Sequence, residues 1–160
     1  MRAAGDGPSR CHSNQLAVRI GFEGAALGHI GVTVRFVNVS EIACSLYGYP
    51  GLLMLDRAGH ALPTEVQRGV AYTVPSVAER LVTLRPGGGA AFDAGWDDAT
   101  GYGSKQCPTS SRVLVTPPNA YRSIGVVWRI QPYGGGSIQH LRCGLITVSP
   151  VFAAAAGATG

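Results

Sequence analysis

Ile30-Gly31-Val32-Thr33-Val34-Arg35-Phe36-Val37-Asn38-Val39 alternates apolar with small or polar residues, one on, one off, from Ile30 through Phe36. A period of two is the signature of a strand with one face buried, because successive side chains point to opposite faces. After Phe36 the apolar phase slips to Val37 and Val39, which predicts a bulge or twist near Asn38. Working outward, residues 15–20 read as the preceding strand. Residues 44–47 lead into the turn signal Gly48-Tyr49-Pro50-Gly51, and residues 52–56 form the strand after it.

The rest of the chain repeats the theme of short apolar runs closed by turn residues. Pro63 and Pro75 bound an irregular edge strand within residues 65–76. Residues 81–84 stop at Arg85-Pro86-Gly87-Gly88-Gly89, and residues 90–96 return. Residues 112–116 stop at Pro117-Pro118-Asn119, residues 123–130 resume, and residues 141–148 close the domain. Seven or more short strands with no convincing helix predict an all-β fold, most simply two antiparallel sheets packed as a sandwich. The expected boundaries are a flexible segment at 1–10, one domain at 11–152 and a flexible tail at 153–160.

Composition agrees. A chain of 160 residues with 46% apolar residues is long enough to bury a core of its own. Only 14% of residues are charged, while 23 Gly and 10 Pro punctuate the chain. The net charge of +4 raises the question of nucleic acid, but no two basic residues adjoin and none cluster. Nucleic-acid binders concentrate their cations on one face or arm, so no nucleic-acid partner is expected. No run approaches the ~18 apolar residues a membrane helix needs.

Cys11, Cys44, Cys107 and Cys143 are widely spaced and include no C-x-x-C pair. That spacing suits neither structural zinc nor a dithiol redox motif, so no metal and no cofactor are expected. An even count in a small Gly-rich β protein reads as two disulfides and an oxidising compartment. Of three possible connectivities, Cys11–Cys44 with Cys107–Cys143 closes two loops of similar, moderate length. The opening residues, 1–10, carry no apolar core of a signal peptide. Either an export segment or anchor is missing from this chain, or the protein is cytosolic; the cysteines favour an extracytoplasmic location.

The run Cys44-Ser45-Leu46-Tyr47-Gly48-Tyr49-Pro50-Gly51, continuing to Asp56 and Gly59, resembles one hallmark of a domain of unknown function, number 4232, widespread in actinobacteria. Trp96-Asp97, Cys107-Pro108 and Val113-Leu114-Val115-Thr116-Pro117-Pro118-Asn119 are similar to its second hallmark. Cys11 with Gln15-Leu16, the turn Leu84-Arg85-Pro86-Gly87-Gly88 and the late Cys143 complete a resemblance running from about residue 11 to 151. The resemblance implies a secreted or lipid-anchored envelope domain, an immunoglobulin-like sandwich and no established activity. It supplies no catalytic residues.

Few residues suggest chemistry. Asp93, Asp97 and Asp98 lack the regular spacing of a calcium loop, and solvated turn carboxylates are the simpler reading. His12, His29, His60 and His140 are scattered through loops and turns. His140 near Cys143 suggests a nucleophile pair, but a disulfide would consume the thiol. Trp96 is expected to anchor the core. Tyr47, Tyr49, Tyr102, Tyr121 and Tyr133 lie in or beside turns and are the candidate binding residues, with core capping as the plainer alternative. The expectation is a non-enzymatic binding or structural module of the cell envelope whose partner is an envelope protein or a cell-wall glycan. The alternative is a hydrolase of envelope polymers using an acid from Asp93, Asp97, Asp98 or Glu79.

Overall fold

The computed structural model describes residues 8–26, 29–56, 58–62, 64–71, 74–97, 112–127 and 145–154. These form eleven strands, and the single helical element among them is one 3-10 turn, Ser13–Gln15. The strands are β1 (Leu16–Ala26), β2 (His29–Asn38), β3 (Cys44–Leu46), β4 (Gly51–Leu55), β5 (Glu65–Arg68) and β6 (Val82–Leu84). They continue with β7 (Gly89–Asp97), β8 (Arg112–Thr116), β9 (Ile124–Val127), β10 (Leu145–Val148) and β11 (Phe152–Ala153). The chain is all-β, as its periodicity predicts.

Three sheets share one core. The largest runs β1-β2-β7-β10-β5, with β11 also on β7; β3 pairs β6, and β4-β8-β9 form the third. Pairing is antiparallel except between β10 and β5, which run parallel, an exception to the all-antiparallel expectation. Residues 65–68 do form the strand at the edge of the large sheet. Val32, Val34 and Phe36 of β2 pack in a single cluster with Ala90, Phe92, Ala94 and Trp96 of β7 and with Ile146 and Val148 of β10. Leu46, Val82, Leu84, Leu52, Met54, Val113 and Val115 from the two smaller sheets complete that cluster. The Phe36 and Phe92 rings lie with centroids 5.7 Å apart, tilted by 37°, on neighbouring strands.

The phase slip expected at Asn38 does not occur. Asn38 keeps the inward phase of Val34 and Phe36 and is fully buried, while Val39 is 59% exposed. A polar residue can hold a core position only if its hydrogen bonds are met. Here the Asn38 amide nitrogen donates to the carbonyls of Ile42 (2.9 Å) and Leu84 (3.0 Å). Its oxygen accepts from the Ser40 backbone N–H (2.9 Å) and hydroxyl (2.7 Å). The register irregularity lies instead in β1, between Ile20 and Glu23, where the facing residues are Val34 and Val32.

The chain ends of the domain are tied down. The Ser45 N–H donates to the Ser9 carbonyl (2.9 Å), the Cys11 N–H donates to the Ser45 carbonyl (2.8 Å), and Arg10 bridges Ser45 in parallel. So Ser9 and Arg10, within the segment expected to be flexible, are bonded to β3. Ala153, assigned to the tail, pairs with Ala90 in β11. Cys11 and Cys44 form the expected disulfide, with Cα atoms 4.7 Å apart and both residues buried. Cys107 and Cys143 lie outside the described residues. No helix among the described residues is long and apolar enough to cross a membrane.

Candidate functional site

The disulfide decides where the N-terminal wall of the site stands. Cys11 is locked to β3, and the chain then makes its 3-10 turn, in which the Gln15 side chain accepts from the His12 N–H (2.8 Å) and the Gln15 N–H donates to the His12 carbonyl (2.9 Å). This presents His12, Ser13 and Asn14 at the surface.

The facing wall is the turn joining β8 to β9. The Ala120 N–H donates to the Pro117 carbonyl (3.0 Å), closing a four-residue turn with Pro118 at its first central position. Asn119 follows at φ 62°, a left-handed conformation that asparagine tolerates better than other side-chain-bearing residues. Its amide also donates to the Tyr47 carbonyl (3.4 Å), which couples this turn to the one after β3. The Thr116 and Ser123 hydroxyls meet at 2.7 Å across the base of the hairpin.

Between the walls lies a surface cleft of about 390 Å³ lined by His12, Ser13, Asn14, Ala120, Tyr121 and Arg122. The Ser13 hydroxyl donates to the Arg122 carbonyl and joins the two sides. Tyr121 is 91% exposed, and the Arg10 guanidinium stands 5.3 Å from its ring centroid. Stacking of this kind holds an arginine in place without neutralising it. Three stretches distant in sequence therefore meet at one end of the domain: the N-terminal segment, the turn carrying Tyr47 and the turn carrying Tyr121.

The candidate tyrosines separate into different environments. Tyr47 and Tyr121 are exposed and are connected through Asn119. Tyr49 is half-buried against the core, with the Arg68 guanidinium 5.1 Å from its ring centroid. Tyr102 and Tyr133 lie outside the described residues. Trp96 is buried in the core. Among the acids, Asp93 is held on β7, where its carboxylate accepts from the Thr33 hydroxyl (2.8 Å). Burial pushes its carboxyl above the ordinary range, with the Thr33 hydrogen bond opposing. Glu79 is exposed and reaches toward Gly48: a Cβ built on that glycine would lie 3.9 Å from its carboxylate. Asp97 pairs with His29 in the β2–β7 ladder, and Asp98 and His140 are outside the described residues. His60 sits beside Asp56 at 3.6 Å in the turn after β4. No three His, Cys, Asp or Glu side chains converge as a metal site among the described residues.

The sequence reading missed Arg10, Asn14 and Arg122, and it treated His12 as one of four scattered histidines. The only local signal was Tyr121-Arg122 directly after a Pro-Pro-Asn turn. Neither the curated proteins nor the solved structures contain a match to this chain. Residues 11–151 match the family described as Domain of unknown function (DUF4232), and the chain, matched over nearly its whole length, belongs to that family.

Proposed function

We propose that this domain is a non-enzymatic binding module of the cell envelope, working outside the cytoplasm, with its ligand taken in the cleft between the 3-10 turn and the β8–β9 turn. We read the three sheets around one core as the two layers of an immunoglobulin-like sandwich, with the cleft formed by loops at one end. The observation that carries the reading is Tyr121: a large ring left 91% exposed in a cleft whose two walls are fixed by a disulfide and by Asn119. Aromatic side chains left exposed at the surface are enriched at contact surfaces. The buried disulfide supports the compartment, because such bonds persist where the environment is oxidising.

The experiment is retention of the oxidised domain on isolated cell wall, on purified wall glycan and on envelope-protein extract. Saturable retention on one of these, lost in Tyr121→Ala, is the expected result. No retention on any of the three would refute the proposal.

A hydrolase of envelope polymers is the second reading, favoured by the raised carboxyl of Asp93. A general acid of this kind works with a second carboxylate about 5–9 Å away. Loss of polymer cleavage in Asp93→Asn, starting from measurable cleavage by the parent domain, would establish it in place of the first.

A further inference from the structure

We propose that the cleft selects an anionic sugar, meaning a sugar ring that carries a carboxylate or phosphate group. This rests on the reading of the cleft as the ligand site and adds the chemistry of what enters it. Two permanent cations belong to this region: Arg122 is one of the residues lining the cleft, and the Arg10 guanidinium stands over the ring of Tyr121, another lining residue. Neither arginine makes an ion pair among the described residues, and none of the six lining residues bears a carboxylate. A cation in the lining and a second stacked on a lining residue add their fields, so the cleft raises the local concentration of anions. A guanidinium is suited to planar, two-point recognition of carboxylate or phosphate oxygens.

The rest of the lining matches a ring bearing hydroxyls. Tyr121 offers a stiff aromatic surface for the apolar face of a sugar, and Asn14, another lining residue, carries both a donor and an acceptor in its amide. His12, also in the lining, has ring nitrogens able to make a further polar contact. A volume of about 390 Å³ is at the small end of ligand sites. It suits a terminal sugar unit better than the flat face of a protein.

The test titrates the intact, oxidised chain with tri-galacturonate, with glucose 6-phosphate, with the neutral N-acetylglucosamine trimer and with a tetraglutamate peptide. Backbone amide shifts map the site and calorimetry gives affinities. We expect shifts at 12–14 and 120–122 with the uronate, the sugar phosphate or both, weakening as salt rises. The uronate and phosphate arms distinguish the source of the anion. Arg122→Gln and Arg10→Gln should each weaken that binding by about tenfold, with Tyr121→Ala abolishing it; all three substitutions are at exposed or rim positions. Equal binding of the neutral trimer at the same amides would overturn the anion claim while leaving the cleft as the ligand site. Equal binding of tetraglutamate there would overturn the sugar claim in the same way. Absence of shifts at these amides with every probe would overturn both this inference and the reading beneath it.

Discussion

Asn38 concentrates more of the fold in one side chain than any core hydrophobe. Its amide makes all four hydrogen bonds available to it, fastening the β2–β3 connection to the last carbonyl of β6. Replacing it by alanine takes the amide away from the Leu84 carbonyl, in a buried bond, and from the Ser40 N–H, at about 1–3 kcal/mol for a buried group left unsatisfied. We therefore predict that Asn38→Ala lowers the unfolding free energy by about 2–3 kcal/mol in urea titrations, with an unchanged m-value. Asp93 makes a pH prediction of opposite sense. Its pKa is raised above 3.8 by burial, so the native state holds its proton more tightly than the unfolded state does. Stability then falls as pH rises from the ordinary value through the raised one, and the loss is complete above it. Asparagine still accepts from Thr33 and carries no charge. Asp93→Asn should melt higher than the parent at pH 7 and match it at pH 3, as read by the difference in Tm.

At the scale of elements, the turns do the positioning. Arg85-Pro86-Gly87-Gly88 closes through the Gly88 N–H donating to the Arg85 carbonyl (2.7 Å), with Gly87 at φ 81°. That is the geometry of a type II turn, which places proline first and a residue of positive φ second. The β8–β9 turn solves the same problem with Asn119, and adds a bridge to Tyr47. The two roles separate by mutation: Asn119→Gly keeps the backbone and loses the bridge, whereas Asn119→Val loses both. We expect little change in global stability for Asn119→Gly but weakened ligand retention, and for Asn119→Val a further loss of about 1–2 kcal/mol from the strained turn. Calorimetric unfolding and retention assays on the two variants read these effects separately.

Local chemistry of this kind was legible in the sequence, as the Pro-Gly and Pro-Pro-Asn signals and the alternation in β2 show. The burial of Asn38 was not, because its partners at Leu84 and Ile42 come together only on folding. The parallel pairing of β5 with β10 joins segments about eighty residues apart and leaves no periodic trace in either. The cleft escaped notice for the same reason. Arg10, His12 and Arg122 are ordinary surface residues until folding sets His12 and Arg122 in the lining of one cleft and Arg10 against the ring of Tyr121.

Across the whole molecule, the Cys11–Cys44 bond links a core that is already continuous to an N-terminal segment held besides by backbone hydrogen bonds to β3, the Ser13–Arg122 contact and the Arg10–Tyr121 stack. Closing a loop with sequence separation 33 removes unfolded-state entropy corresponding to about 3–4 kcal/mol. Replacing both cysteines by serine should cost stability of that order in denaturant titrations. It should cost affinity as well, because His12, Ser13 and Asn14 follow directly from Cys11 and form one wall of the cleft. A bond that served stability alone would leave the affinity of the remaining folded protein unchanged. The central claim is that the exposed ring of Tyr121, held between two fixed turns, is where the domain meets its ligand. The most direct test is a binding isotherm on envelope material for the oxidised parent and for Tyr121→Ala, both verified as folded. A saturable curve for the parent and none for the variant is expected; superimposable curves for the two proteins would show that Tyr121 is not the contact.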